Sequence, residues 1–320
     1  GSTGNNNALT SGRLGFGVYT ITATAAEITD SASVDNSANY TINYLPGTLT
    51  VARKPLAVTA GNQTLTYGAG RGLGTSNFTA VGLLTGVTIN DAVNSVVLTT
   101  NNNSFVSALT NAGTYSIEVS NASGVGLQNY EITYQPGSLV ISRRLLTITA
   151  SDQSSVYGSI KNLGAAAFTS TGLLGRDQIT GINLRLTSGA SSVSATTAAG
   201  TYAINVSNAS PSSLSNNYTI NYVSGVIIVD KAVLTVTAGP VSIAANNLNS
   251  LNSLGSFTVS GWRNNNQTST SVTGITYSTN ATSSSPAGSS YVVTPMSGSV
   301  SGTFADNYSI VYSNGVLTIN

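Results

Sequence analysis

The stretch NYTINYLPGTLTV, residues 39–51, recurs as NYEITYQPGSLVI (129–141), NYTINYVSGVIIV (217–229) and NYSIVYSNGVLTI (307–319). Its leading tyrosines, Tyr40, Tyr130, Tyr218 and Tyr308, follow one another at intervals of 90, 88 and 90 residues. A step this regular marks tandem structural units. Other landmarks keep it: TYG (66–68) returns as VYG (156–158), and FTAVGLL (78–84) as FTSTGLL (168–174) and FTVSGW (257–262). AGTYSIEVSNAS (112–123) matches AGTYAINVSNAS (199–210). The chain therefore reads as half a unit, residues 1–53, followed by whole units at 54–143, 144–231 and 232–320. Ninety residues suit a small domain with its own core better than a solenoid coil that leans on its neighbours.

The repeated stretch alternates. Tyr130, Ile132 and Tyr134 fall on one face of a strand, and Glu131 and Thr133 on the other. Pro–Gly, Ser–Gly or Asn–Gly then breaks the run before alternation resumes at Leu139 and Ile141. This pattern predicts a β-hairpin, with the glycine supplying a positive φ. Downstream, LVISRRLLTITA (139–150) continues as strand. Its apolar phase is odd at Leu139, Ile141 and Leu145, then even at Leu146, Ile148 and Ala150, and a one-residue slip turns side chains to the opposite face. The slip coincides with Arg143–Arg144, whose counterparts are Arg53–Lys54 and Asp230–Lys231. These pairs read as the joints between units. Joints so short and extended predict a stiff rod of about 30 Å per unit, roughly 110 Å in all. No segment shows helical periodicity with caps; the nearest, SIAANNLNSLNSLG (242–255), reads as a loop or a single helical turn. The expected fold is all-β: tandem β-sandwich-like domains of about 90 residues arranged end to end.

Composition narrows the function classes. Net charge is +1 and charged residues make up 7% of the chain, too weak a field for a nucleic-acid or membrane-surface partner. No apolar run approaches a membrane span, and the opening residues carry no charged-then-apolar leader. The chain contains neither His nor Cys, so the common metal, triad and thiol constellations have no residues to form them. No enzyme is predicted. Glu27, Asp30 and Asp35 form the densest acidic set; their spacing matches no calcium loop and reads as a solvated turn, so no cofactor is expected. Lys54 and Lys231 sit at joints, where exposure argues against a buried lysine–asparagine crosslink. Trp262, the sole tryptophan, stands where the other units have Leu83 and Leu173, which points to packing. Beside Arg263 and an amide-rich loop it would also serve as a glycan platform.

The YG pairs Tyr67–Gly68 and Tyr157–Gly158, the GTY strand, the NYxIxY…G stretch and the joint leading into PLAVTA together resemble the MBG domain of the YGX type, over nearly the whole chain. This is a mostly-β, glycine-rich repeat similar to those of filamentous-haemagglutinin-like adhesins and biofilm-matrix proteins of Gram-negative bacteria. The last unit departs from the pattern, with Ala245–Asn246 in place of the YG pair. The resemblance implies secretion to the bacterial cell surface, a stalk or fibre role, and no catalytic residue. The partners it leaves open are neighbouring repeats, other copies joined through the incomplete N-terminal unit, and surface or matrix polysaccharide.

Overall fold

The computed structural model describes residues 14–24, 26–29, 36–86 and 89–320. Strand accounts for 54% of the structure and helix for 9%, so the fold is all-β. The chain divides into two compact units, residues 1–144 and 145–320. The first holds the N-terminal half-repeat and one complete sandwich; the second holds two sandwiches.

Each complete repeat pairs a three-stranded sheet with a four-stranded one. In the first repeat, Lys54–Ala60 lies between Tyr130–Gln135 and Phe78–Val81. The other sheet runs in the order Gln63–Thr66, Gly137–Ser142, Gly113–Val125, Ala92–Thr99. The same arrangement recurs around Arg144–Ala150 and Gly225–Asp230, and again around Ala232–Ala238 and Gly315–Ile319. Alternation explains the cores: Leu56, Val58 and Ala60 point inward from one sheet, and Ile117, Leu139 and Ile141 from the other.

The repeated tyrosine stretch does not form the hairpin its Pro–Gly suggests. Tyr130–Gln135 pairs in parallel with the repeat's opening strand, Tyr130 opposite Lys54. Gly137–Ser142 lies in the other sheet, parallel to Gln63–Thr66, with Leu139 opposite Gln63. Both pairings have the same sequence offset. The opening and closing segments therefore run side by side and cross between the sheets together, in one unbroken register. The third repeat does the same, from Ala232 opposite Tyr308 to Val241 opposite Leu317. The glycine after the crossing is needed for space, not for a left-handed turn. A Cβ on Gly137 would lie 2.5 Å from the Ala60 carbonyl oxygen; Gly225 and Gly315 meet Ala150 and Ala238 in the same way, at 2.4 Å each.

Only Arg143 separates the strand ending at Ser142 from the one starting at Arg144, and only Lys231 separates Asp230 from Ala232. Leu145, however, is exposed, so the phase slip falls between Ile141 and Leu146. Residues 242–255 hold more helix than expected. A 3₁₀ segment, Ala245–Ser250, runs into one α-helical turn, Leu251–Leu254. Leu251 from that turn is buried against Tyr277, Val293, Leu317 and Ile319.

In the half-repeat, Gly17–Ile21 and Gly47–Val51 pair as a two-stranded antiparallel sheet. Its register, Tyr19 opposite Leu49, repeats that of Tyr115 opposite Leu139 and of Tyr202 opposite Ile227.

Candidate functional site

The tyrosines have distinct jobs set by their place on the strands. The first tyrosine of each complete repeat's NY stretch is buried: Tyr130, Tyr218 and Tyr308 are at most 4% exposed. Burying a hydroxyl requires partners. Tyr130 donates to Asp91 Oδ2 at 2.6 Å and accepts from the Leu84 amide at 2.8 Å. Tyr218 donates to Asp177 Oδ2 at 2.5 Å and accepts from the Leu174 amide at 3.1 Å. The second tyrosine braces a kink instead. Tyr134, Tyr222 and Tyr312 accept from the amides of Ala122, Ala209 and Gly298, each just after or beside a residue with positive φ at Asn121, Asn208 or Ser297. The GTY tyrosines tie their own loops: Tyr19, Tyr115 and Tyr202 donate to carbonyls four residues upstream, at 2.8, 2.9 and 2.9 Å.

In the third repeat the first tyrosine joins a larger constellation. Asn266, 4% exposed, stands three residues after Arg263 as Asp177 stands three after Leu174. Its Nδ2 donates to the Tyr308 hydroxyl at 3.0 Å and to the Tyr157 hydroxyl of the second repeat at 2.6 Å. An amide suits this position because one NH₂ group holds two hydrogens and can serve two hydroxyl oxygens. Tyr308 also accepts from the Arg263 amide at 3.0 Å and donates to its carbonyl at 3.1 Å. The Tyr157 and Tyr308 rings meet edge-to-face at 5.5 Å, and Trp262 and Tyr308 at 5.2 Å, the geometry that the ring quadrupoles favour.

The YG pair builds the second repeat's side of this joint. Ser159 donates its amide to the Val156 carbonyl at 3.0 Å, closing a turn whose third residue, Gly158, has φ +87°. Only glycine adopts this without strain. The bare glycine also leaves a floor for the Arg263 stem, since a Cβ there would meet Arg263 Cγ at 2.5 Å. Two more bonds cross the joint: Asn264 Nδ2 to the Ala195 carbonyl at 2.9 Å, and the Ala199 amide to Asn307 Oδ1 at 2.7 Å. The last recurs at the other end of the chain, where the Phe16 amide donates to Asn129 Oδ1 at 2.8 Å.

Trp262 and Arg263 thus sit in this joint, Trp262 half-buried and Arg263 with exposed surface. Tyr67 is buried, and Gly68 has φ +90°, matching Tyr157 and Gly158. Tyr40 is 61% exposed. At the joints, the Arg53 guanidinium lies 4.3 Å over the Phe16 ring, and Lys54 Nζ donates to the Gly82 carbonyl. Arg143, Asp230 and Lys231 are exposed and Arg144 is half-buried; the Asp230 carbonyl accepts from the Tyr157 amide at 2.9 Å. Glu27 is exposed, while Asp30 and Asp35 lie outside the described residues. Among the described residues, no group of three carboxylates could hold a metal ion. No helix among them is long and apolar enough to cross a membrane. Asn266 was not legible as a joint residue. Asn307 carried a signal, since an asparagine precedes the first tyrosine in all four copies.

A repeated YG turn, a crossing tyrosine stretch and the same two-sheet body three times over decide the family. The model of the MBG domain (YGX type) matches residues 56–140, 146–227 and 234–318. The chain belongs to this family. No curated protein matches the chain. Among solved structures, this MBG chain is similar to Drosophila N-cadherin EC1-4 at 10% identity and a TM-score of 0.24, over 95% of this chain and 83% of that one. It is also similar to the protocadherin GammaB4 extracellular domain, at 9% identity and a TM-score of 0.23, over 95% and 61%. The Bacillus anthracis TIE protein follows at 9% identity and a TM-score of 0.19, over 96% and 61%. Likeness at this level carries no argument about function.

Proposed function

We propose that this chain is a non-catalytic stalk segment of a secreted bacterial surface protein, holding an adhesive region away from the cell. MBG repeats occur in surface proteins, which supports that setting. The observation that carries the reading is the joint between the second and third repeats. Each repeat has its own core, only one residue links their strands, and Asn266 ties the hydroxyls of Tyr157 and Tyr308 across the boundary. A spacer needs resistance to bending at each boundary, and a buried polar network supplies it because its members bond well in only one arrangement. A flexible linker would serve a necklace instead.

Small-angle scattering on the monomeric fraction tests this. The expected particle is a rod near 110 Å, from about 30 Å per repeat, unchanged on dilution. A compact particle, or one that grows with concentration, overturns the spacer reading.

A further inference from the structure

We propose that the hollow beside the Asn101–Asn102 turn of the first repeat binds one neutral sugar unit, with the Thr100 hydroxyl hydrogen-bonded to it and the Phe105 ring stacked on it. The inference goes beyond the spacer reading and stands on different residues.

The site starts from a hydroxyl left over by the fold. Thr100 follows the strand Ala92–Thr99 and opens a tight turn. Its amide donates to the Asn103 carbonyl, and its carbonyl accepts from the Asn103 amide, both at 2.9 Å. Asn101 and Asn102 between them have φ +47° and +62°, the left-handed pair that a two-residue hairpin loop needs and asparagine tolerates. The turn uses the backbone of Thr100 and not its side chain. Thr100 is 7% exposed, and among the described residues its Oγ1 is buried without a hydrogen-bond partner. A buried hydroxyl without a partner costs stability, which points to a use outside the fold.

The other two complete repeats solve the same position differently. Thr99 stands opposite Glu118, which puts Thr100 at the level of Ile117; Leu186 stands opposite Ile204, and Thr279 opposite Val293. Ile117, Ile204 and Val293 in turn face Gly137, Gly225 and Gly315, so the three positions are equivalent. Leu186 brings no polar atom. The Thr279 hydroxyl accepts from the Ala281 amide at 3.2 Å. Of the three, Thr100 alone keeps a hydroxyl to spare.

Thr100 lines a hollow of about 330 Å³. One water takes about 30 Å³, so the space is that of a small organic molecule. Val106 and Leu139, at most 2% exposed, give it apolar surface. Phe105 adds a ring that is 60% exposed, on a short strand held against Arg71–Gly72. Ser107 and Thr110 add further hydroxyls. No charged side chain lines the hollow among the described residues, so an ionic ligand would find no counter-charge. A pyranose matches this set. Its C–H face covers an aromatic ring, and its hydroxyls both donate and accept, as the Thr100 hydroxyl does.

The test titrates the full chain with the methyl glycosides of glucose, galactose, mannose and N-acetylglucosamine, read by amide chemical-shift mapping. The expected result is saturable binding of at least one of them, with shifts centred on residues 100–115. Thr100→Val keeps the side-chain shape without the hydroxyl. It should weaken binding by about fivefold or more while the thermal midpoint stays or rises, because no partner within the fold is lost. Phe105→Ala, at an exposed position, should weaken binding by about threefold or more. Failure of all four sugars to bind, binding indifferent to Thr100→Val, or shifts centred elsewhere overturns the proposal. A lowered midpoint in Thr100→Val overturns it too, since the hydroxyl would then already serve the fold. The scattering result for the spacer reading is independent of all of these.

Discussion

Asn266 Nδ2 lies 2.6 Å from the Tyr157 hydroxyl and 3.0 Å from the Tyr308 hydroxyl, so one buried amide is bonded to two repeats at once. Removing it takes a donor from the buried Tyr157 hydroxyl and cuts the tie between the repeats, while Tyr308 keeps its bonds to the Arg263 backbone. Asn266→Ala is expected to destabilise the joint by about 1–3 kcal/mol. Trp262 packs on Tyr308 and is the sole tryptophan, so its fluorescence during denaturation reads this joint directly. Asn264→Ala, which removes an exposed bond to the Ala195 carbonyl, should shift the same transition by about 0.5 kcal/mol or less. In a double-mutant cycle, Tyr157→Phe and Asn266→Ala should couple by about 0.5–3 kcal/mol. Additivity would mean that the bond does not hold the repeats together.

The first repeat offers a contrast between two tyrosines of one strand. Tyr130 is buried and donates to the Asp91 carboxylate at 2.6 Å; Tyr134 is 40% exposed and accepts from the Ala122 amide. Tyr130→Phe takes a charge-assisted donor from a buried acid and should cost about 1.5–3 kcal/mol. Tyr134→Phe removes an exposed neutral bond and should cost about 0.5–1 kcal/mol. Equal losses in urea denaturation would show that burial does not set the value of these hydroxyls.

These differences trace to what a sequence encodes locally. The tandem step, the strand alternation and the phase slip at Arg143–Arg144 were legible because each is a regularity within a short window. The crossing was not. Pro136–Gly137 carries the residues of a tight turn, and nothing local reveals that strands begun some 76 residues upstream run beside both halves. Parallel pairing is a long-range property, so the pleat reads the same either way. The joint was partly hidden for a similar reason. The YG pair stood out as a turn, but its service to a neighbouring repeat depends on Arg263 and Asn266, about 105 residues downstream. In the third repeat, asparagine and serine content argued against helix over 242–255, while burial of Leu251 overrides that weak local preference.

Leu251 makes that override measurable. It comes from the α-helical turn that follows the 3₁₀ segment standing in place of the YG pair, and it is 4% exposed among Tyr277, Val293, Leu317 and Ile319. Leu251→Ala leaves a cavity in this core and should destabilise the third repeat by about 2–5 kcal/mol, seen as an earlier Trp262 transition. Leu254, in the same turn but 54% exposed, should tolerate alanine within about 0.5 kcal/mol. Equal effects would place the helical segment outside the core.

Gly137 and Gly47 hold the same position in the repeated stretch, yet they should respond oppositely to alanine. At Gly137 the new Cβ would stand 2.5 Å from the Ala60 carbonyl oxygen, a backbone atom fixed by the parallel strands on either side of the crossing. Relief would require parting two segments that share one register, so Gly137→Ala should cost about 1–3 kcal/mol or more. Among the described residues no opening segment lies alongside Gly47, and the nearest atom to a Cβ there is 3.8 Å away. Alanine there restricts the unfolded chain without a clash and should leave stability unchanged or raise it by up to about 1 kcal/mol. Thermal unfolding of the two variants decides the matter. If Gly47→Ala were as damaging as Gly137→Ala, the close approach of the paired segments would not be what requires glycine at the crossing.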